Sequence, residues 1–139
     1  MLSSIKEVLE KGINCYAECG GLMYLTDGIQ LMDNSEYFKT VGFLNGKAYM
    51  TKKLQNFGYA ELEVKEKNNL ISIGTKVNCH EFHKSYVDLK ENKICTLTKE
   101  VYDGSLKKWQ CGYSKENTIG AYGHVHFFGN LNMLKELVK

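Results

Sequence analysis

The sequence predicts one α/β domain with many strands. Three features lead to this reading. A short apolar run ends at Gly20-Gly21 and passes at once into a helical pattern; a long middle stretch reads as strand-like segments separated by turn residues; and helix-like segments lie at both ends. The 139 residues suffice for one hydrophobic core, and the 43% hydrophobic and 24% charged content is that of a globular chain.

The first element follows from Ser4 and Glu7, spaced as a capping box, with Gly12 as a C-terminal stop, which predicts a helix over 5–11. Residues 13–18 read as a buried strand, and 20–32 as a helix whose inner face offers Leu22, Met23, Leu25, Ile29 and Met32. A polar loop is expected over 33–37, then strand and turn over 40–50 around Asn45-Gly46, and another strand over 57–64. After a turn at 66–69, the segments 70–74, 79–87, 94–102, 107–113 and 118–127 are strand-like. Asp103-Gly104 makes a tight connection among them. Asn130 is placed to cap a last helix, with Leu131, Leu134, Leu137 and Val138 on one face.

Composition narrows the function classes. A net charge of +2 calls for neither a nucleic-acid nor a membrane partner. All eighteen basic residues are lysines, so bidentate guanidinium recognition of phosphates, carboxylates or guanine is excluded. No apolar stretch approaches a membrane span, and the N-terminus lacks a signal-peptide layout, so a cytoplasmic location is expected. Five cysteines without a disulfide-framework spacing suit a reducing compartment.

The chemistry concentrates in three segments. At Ala17-Glu18-Cys19-Gly20-Gly21 the spacing is small-x-nucleophile-x-small, the pattern of a nucleophile elbow in which a tight turn leaves no room for bulk beside the reactive residue. Such a turn would expose the Cys19 sulfur at a helix N-terminus, where the dipole favours the thiolate. A buried structural cysteine in an ordinary strand-to-helix turn fits the same residues, and the local pattern leaves both open. All four histidines fall in the other two segments, Cys79-His80-Glu81-Phe82-His83-Lys84-Ser85 and Ile119-Gly120-Ala121-Tyr122-Gly123-His124-Val125-His126-Phe127-Phe128. His124 and His126 would share one face of a strand. One histidine acting as base to Cys19 is the chemical reading, and histidines satisfied by backbone hydrogen bonds is the plainer one. Zinc is a further alternative from Cys79, His80, His83, His124 and His126, although their spacing matches no finger or ribbon. Neither a P-loop nor a dinucleotide fingerprint is present.

Taken together, residues 16–25, Glu81-Phe82-His83-x-Ser85 and Ala121-Tyr122-x-His124-x-His126-Phe127 resemble the glutamine amidotransferase domain of the cobyrinic acid a,c-diamide synthase family, whose members amidate corrins in cobalamin biosynthesis. Val41-Gly42-Phe43-Leu44 and residues 50–59 add to the likeness, which runs from about residue 5 to the C-terminus. The resemblance implies a class I glutamine amidotransferase-like sheet flanked by helices, with Cys19 as nucleophile and His124 as its proton carrier. Gly20 and Gly21 would serve the oxyanion site, and Glu81, His83 and Ser85 would lie near bound glutamine. His126 stands where many class I enzymes place an orienting glutamate, so the resemblance implies a Cys-His dyad, with His126 as a possible orienting residue.

Three positions depart from the family pattern: Cys79 for glycine, Lys84 for an aromatic, and Gly123 for a β-branched residue. The family's ATP-dependent synthetase domain, and the first strand and Gly-Gly loop of its glutaminase domain, have no counterpart in residues 1–139. The expectation is therefore a partial domain with an open sheet edge, incompetent alone. It would bind no cofactor itself, with ATP and magnesium held by a synthetase domain or polypeptide that also brings the corrinoid. A non-catalytic binding or assembly domain is the alternative of a different class.

Overall fold

The computed structural model describes residues 1–32 and 36–139, so positions 33–35 of the expected polar loop lie outside the described residues. The elements run α1 (Leu2–Glu10), β1 (Cys15–Glu18), α2 (Gly20–Leu25), β2 (Gly28–Gln30), β3 (Tyr37–Lys39), β4 (Gly46–Val64), β5 (Lys76–Leu89), β6 (Asn92–Glu100), β7 (Leu106–Lys115), β8 (Thr118–Ala121), β9 (His124–Val125), a 3₁₀ turn (Phe127–Gly129) and α3 (Leu131–Leu137).

The strands form one mixed sheet in the order β1-β8-β7-β6-β4-β2-β3, with β5 on β4 and β9 on β5. The pairs β1–β8 and β2–β4 are parallel, and the other pairs are antiparallel. Long alternating strands joined by tight connections favour the antiparallel pairs. At Asp103-Gly104, for example, Val101 N–H donates to Ser105 O (2.9 Å) and Gly104 takes a φ of 79°. Among the described residues β1 is paired on one side only, at the sheet's edge.

The core contains Leu22, Leu44, Leu62, Val64, Leu97 and Ile119, each 1% exposed or less. Gly120 lets α2 settle on β8: a Cβ there would lie 2.7 Å from Leu22 Cδ1. That contact sets the height of the turn between β1 and α2 over the sheet.

Several expected elements shift, each for a visible reason. No side chain caps α1, which starts at Leu2, so the Ser4–Glu7 box is not formed, while Gly12 (φ 83°) ends the helix as expected. The helix expected over 20–32 stops at Leu25. Thr26 turns its hydroxyl onto the Met23 and Gly28 carbonyls, Asp27 accepts from Gly46 N–H, and the chain leaves as strand β2. Ile29 therefore lies on β2, and Met32 is exposed.

Tyr37, expected in the loop, opens β3, and residues 40–45 form no strand. The strand expected at 70–74 is an irregular turn in which Asn68 Oδ1 accepts from the Leu70 and Ile71 N–H groups. Residues 118–127 break into β8 and the two-residue β9. Asn130 does cap α3 by accepting from Met133 N–H (3.1 Å), but α3 buries Met133 while Leu131 and Val138 stay exposed.

Candidate active site

The elbow is built by strand pairing. β1 and β8 end side by side, with Glu18 opposite Ala121, and Cys19 N–H donates to Ala121 O at 2.8 Å. The chain then reverses into α2 through Cys19 itself, at φ 48° and ψ −103°. A non-glycine residue there carries strain on the order of 1–3 kcal/mol, a cost found where a surrounding scaffold dictates the backbone. At Gly21 a Cβ would sit 3.4 Å from Ala17 Cβ, an ordinary contact beneath the turn, so close approach does not by itself demand glycine there. At Gly20 a Cβ would meet nothing within 4 Å, so its contribution is its backbone N–H, which hydrogen-bonds the Cys19 sulfur.

The resting state of Cys19 differs from the thiolate expected at a helix end. Burial raises the thiol above its ordinary value, the Gly20 N–H lowers it, and the Glu81 and Glu18 carboxylates raise it again. The six residues of α2 do not outweigh burial and two negative neighbours. Among the described residues no hydrogen bond joins the Cys19 sulfur to a histidine ring.

His124 reaches the elbow through Glu18. Two residues after β8 the chain enters β9, which pairs with β5 so that His80 faces His124 and Cys79 faces Val125. Glu18 Oε1 accepts from Val125 N–H at 2.9 Å, and its Oε2 lies 3.5 Å from His124 Nδ1. The His124 ring is half-exposed and opens into a cleft of about 770 Å³, lined also by His80, His126 and Tyr59. His126 lies outside β9, exposed, with its N–H donating to Asn78 O.

Glu81, His83 and Ser85 point the other way, onto the buried face of β5. His83 Nδ1 is 2.8 Å from Ser85 O, and its Nε2 is 3.2 Å from Glu81 Oε2. A carbonyl oxygen only accepts, so Nδ1 carries a proton. Nε2 in turn faces the Glu81 carboxyl, which ties the ring to both its β5 neighbours. Trp109 Nε1–H donates to Glu81 Oε1 at 3.2 Å, Tyr122 stacks on the His83 ring at 3.7 Å, and Ser85 Oγ donates to Met23 Sδ. This network borders a cavity of about 170 Å³.

The structure thus divides the expected residues into two groups around the elbow. His124 and His126 line the open cleft, while Glu81, His83 and Ser85 sit in a buried network with Tyr122 and Trp109. Sequence reasoning missed Glu18, whose only local signal is adjacency to Cys19, and Trp109, which no motif marks. Among the described residues no three His, Cys, Asp or Glu side chains converge as metal ligands. Cys79, a residue of the zinc alternative, is a buried thiol pushed up to about 12 by desolvation, with the Glu81 charge adding to the shift.

A family model described as the CobB/CobQ-like glutamine amidotransferase domain matches residues 1–132, a span that holds the elbow, β5 and β9. The chain belongs to this family. It is 55% identical over all 139 residues to the cobyrinate a,c-diamide synthases of Clostridium tetani and Clostridium acetobutylicum, and spans 31% and 30% of their lengths. Among solved structures it resembles a glutamine amidotransferase from Thermotoga maritima. That likeness has a TM-score of 0.56 at 15% identity, and it covers 99% of this chain and 50% of the other. At that identity it bears on the fold alone, and it agrees with the expected class I glutamine amidotransferase-like α/β sheet with flanking helices. No helix of the described residues is long and apolar enough to cross a membrane.

Proposed function

We propose that the chain is the glutaminase portion of a cobyrinate a,c-diamide synthase-type amidoligase. Cys19 attacks the side-chain carboxamide carbon of glutamine, passing its thiol proton to His124. The Gly20 N–H meets the oxyanion as the tetrahedral intermediate forms. Collapse breaks the C–N bond, His124 returns the proton to the leaving nitrogen, and ammonia departs from a glutamyl thioester on Cys19. Water, with His124 again as base, then releases glutamate. Glu81, His83 and Ser85 hold the wall of the site through their closed hydrogen-bond network.

Ammonia passes to an ATP-dependent synthetase part of the kind that would make up the rest of the longer relatives. ATP and magnesium would be held there, with a corrin (tetrapyrrole) carboxylate as acceptor, in the reducing cytoplasm that five free thiols suit. The observation that carries this reading is Cys19, a cysteine held at φ 48° at a strand-to-helix turn, with His124 joined to it through one residue.

The 139-residue polypeptide by itself hydrolyses glutamine weakly or not at all. The oxyanion donors assigned to it come from the Gly20-Gly21 turn, and among the described residues β1, beside the nucleophile, is paired on one side only. Ammonia release from glutamine is to be measured for this polypeptide with and without the remaining segment of the Clostridium tetani relative. Release only with that segment, lost in Cys19→Ala, is expected. Absence of release in both cases would favour a non-catalytic binding domain instead.

A further inference from the structure

Glu18 is the last residue of β1, and Cys19 follows it directly. Its side chain crosses to β9, 107 positions later in the chain, and there its two oxygens do different things. Oε1 accepts from Val125 N–H at 2.9 Å, which fixes the carboxylate to the backbone of the strand that carries His124. Oε2 then faces His124 Nδ1 at 3.5 Å. A carboxylate can only accept, so the neutral ring meets it favourably only with its proton on Nδ1. A free imidazole prefers its proton on Nε2, the nitrogen that a base must keep bare.

We infer that Glu18 is the positioning residue for His124, holding the ring in the Nδ1–H form that leaves Nε2 free as the base toward Cys19. The inference rests on the glutaminase reading for its purpose, though not for its geometry. Other groups in the cleft do not compete for the role. Of the other carboxylates lining the cleft, Glu61 and Glu100, the first pairs with Lys76 at 2.9 Å. Among the described residues Glu18 alone brings a carboxylate oxygen within 4 Å of a His124 ring nitrogen, while His80 across the strand pair is not an anionic acceptor.

As a surface ion pair the contact would contribute little stability, because the His124 side chain is 47% exposed. Its value lies in direction: one oxygen is already held by the backbone, so the second approaches Nδ1 from a fixed position. The same carboxylate ties base to nucleophile, since any movement of the elbow moves the group that orients the ring.

The test is the tautomer of His124, read by nitrogen NMR of the histidine-labelled 139-residue chain at a pH where the ring is neutral. The wild-type chain is expected to carry the proton on Nδ1. Glu18→Gln keeps an oxygen for Val125 N–H but offers an amide N–H to Nδ1, so the proton is expected to move to Nε2. Glu18→Asp, shorter by one methylene, is expected to give a mixture. An unchanged His126 amide resonance in Glu18→Gln, from the N–H that donates to Asn78 O, confirms that β9 stays in place.

A wild-type ring protonated on Nε2, or one whose tautomer ignores Glu18→Gln, overturns the assignment. The glutaminase reading is checked on the same samples by covalent labelling with a glutamine-analogue chloroketone. Labelling of Cys19 slowed at least tenfold by Glu18→Gln supports both. A tautomer switch without any Cys19 labelling, in the 139-residue chain alone and with the remaining segment of the Clostridium tetani relative added, supports the Glu18 assignment and overturns the glutaminase reading.

Discussion

Cys19 acquires its character from backbone geometry more than from its neighbours' charges. The strained turn exposes the sulfur to its surroundings, yet burial and the Glu81 and Glu18 carboxylates keep it a thiol at rest. Since its folded-state value lies above that of a free thiol, the thiolate fraction at pH 7 is small and grows only as pH climbs past the ordinary range. Alkylation of Cys19 by iodoacetamide, followed by mass spectrometry from pH 6 to 10, is expected to rise with a midpoint above that of a free cysteine peptide. A midpoint below it would mean a preformed thiolate and contradict this account. Beneath the turn a Cβ at Gly21 would already be in van der Waals contact with Ala17. Gly21→Val drives methyl groups into Ala17, and a loss of about 1–3 kcal/mol is expected in urea unfolding. The elbow was legible because its signals are all local: an apolar run, a cysteine, and small residues two positions to either side. Glu18 was not, because its partners lie more than a hundred residues away and depend on where β9 lands.

The elements depart from their sequence expectations where a side chain competes with the backbone. Thr26 and Asp27 end α2 early by bonding carbonyls and amides of the turn, and Asn68 converts an apolar stretch into a compact loop. Hydrophobic periodicity cannot register such competition, although Thr, Asp and Asn are the residues able to provide it. The last helix is attached through Glu136, which accepts from Ser72 N–H (2.9 Å) and Ser72 Oγ (2.7 Å). Those bonds hold the Glu136 carboxyl below its ordinary value. A lowered carboxyl contributes stability that is present above its unfolded value and lost as pH falls through the folded one. Amide exchange in α3 is therefore expected to accelerate below about pH 4, ahead of global unfolding. Equal protection of α3 and the central strands at pH 3.5 would contradict this attachment. Loss of the 70–74 strand cost the site nothing, because the site is carried by β1, β5, β8 and β9.

At the level of the molecule, the α/β class and most strands were readable, but the sheet order was not. Nothing local indicates that β4, a 19-residue strand with bulges near Gln55 and Gly58, would touch β2, β5 and β6 in turn. That arrangement buries Cys79, Cys95 and Cys111, with desolvation pushing them up to about 12, about 12 and about 11. Raised thiols stabilise the fold fully below the unfolded thiol value, and the contribution fades as pH rises from there toward the folded values. The urea midpoint is accordingly expected to fall between pH 8 and pH 10.5, and a midpoint that is flat over this range would contradict it. Among the described residues β1 is paired on one side only, and the chain spans 31% and 30% of the two Clostridium relatives, which suits the proposed reading of this domain as one part of a longer amidoligase. Its central claim is that Cys19 is the glutamine-attacking nucleophile. The most direct test is intact-mass and peptide mapping after exposure to the glutamine-analogue chloroketone. A single adduct on Cys19, slowed by excess glutamine and missing in Cys19→Ala, is the predicted result. No adduct on Cys19, or one indifferent to glutamine, would contradict it.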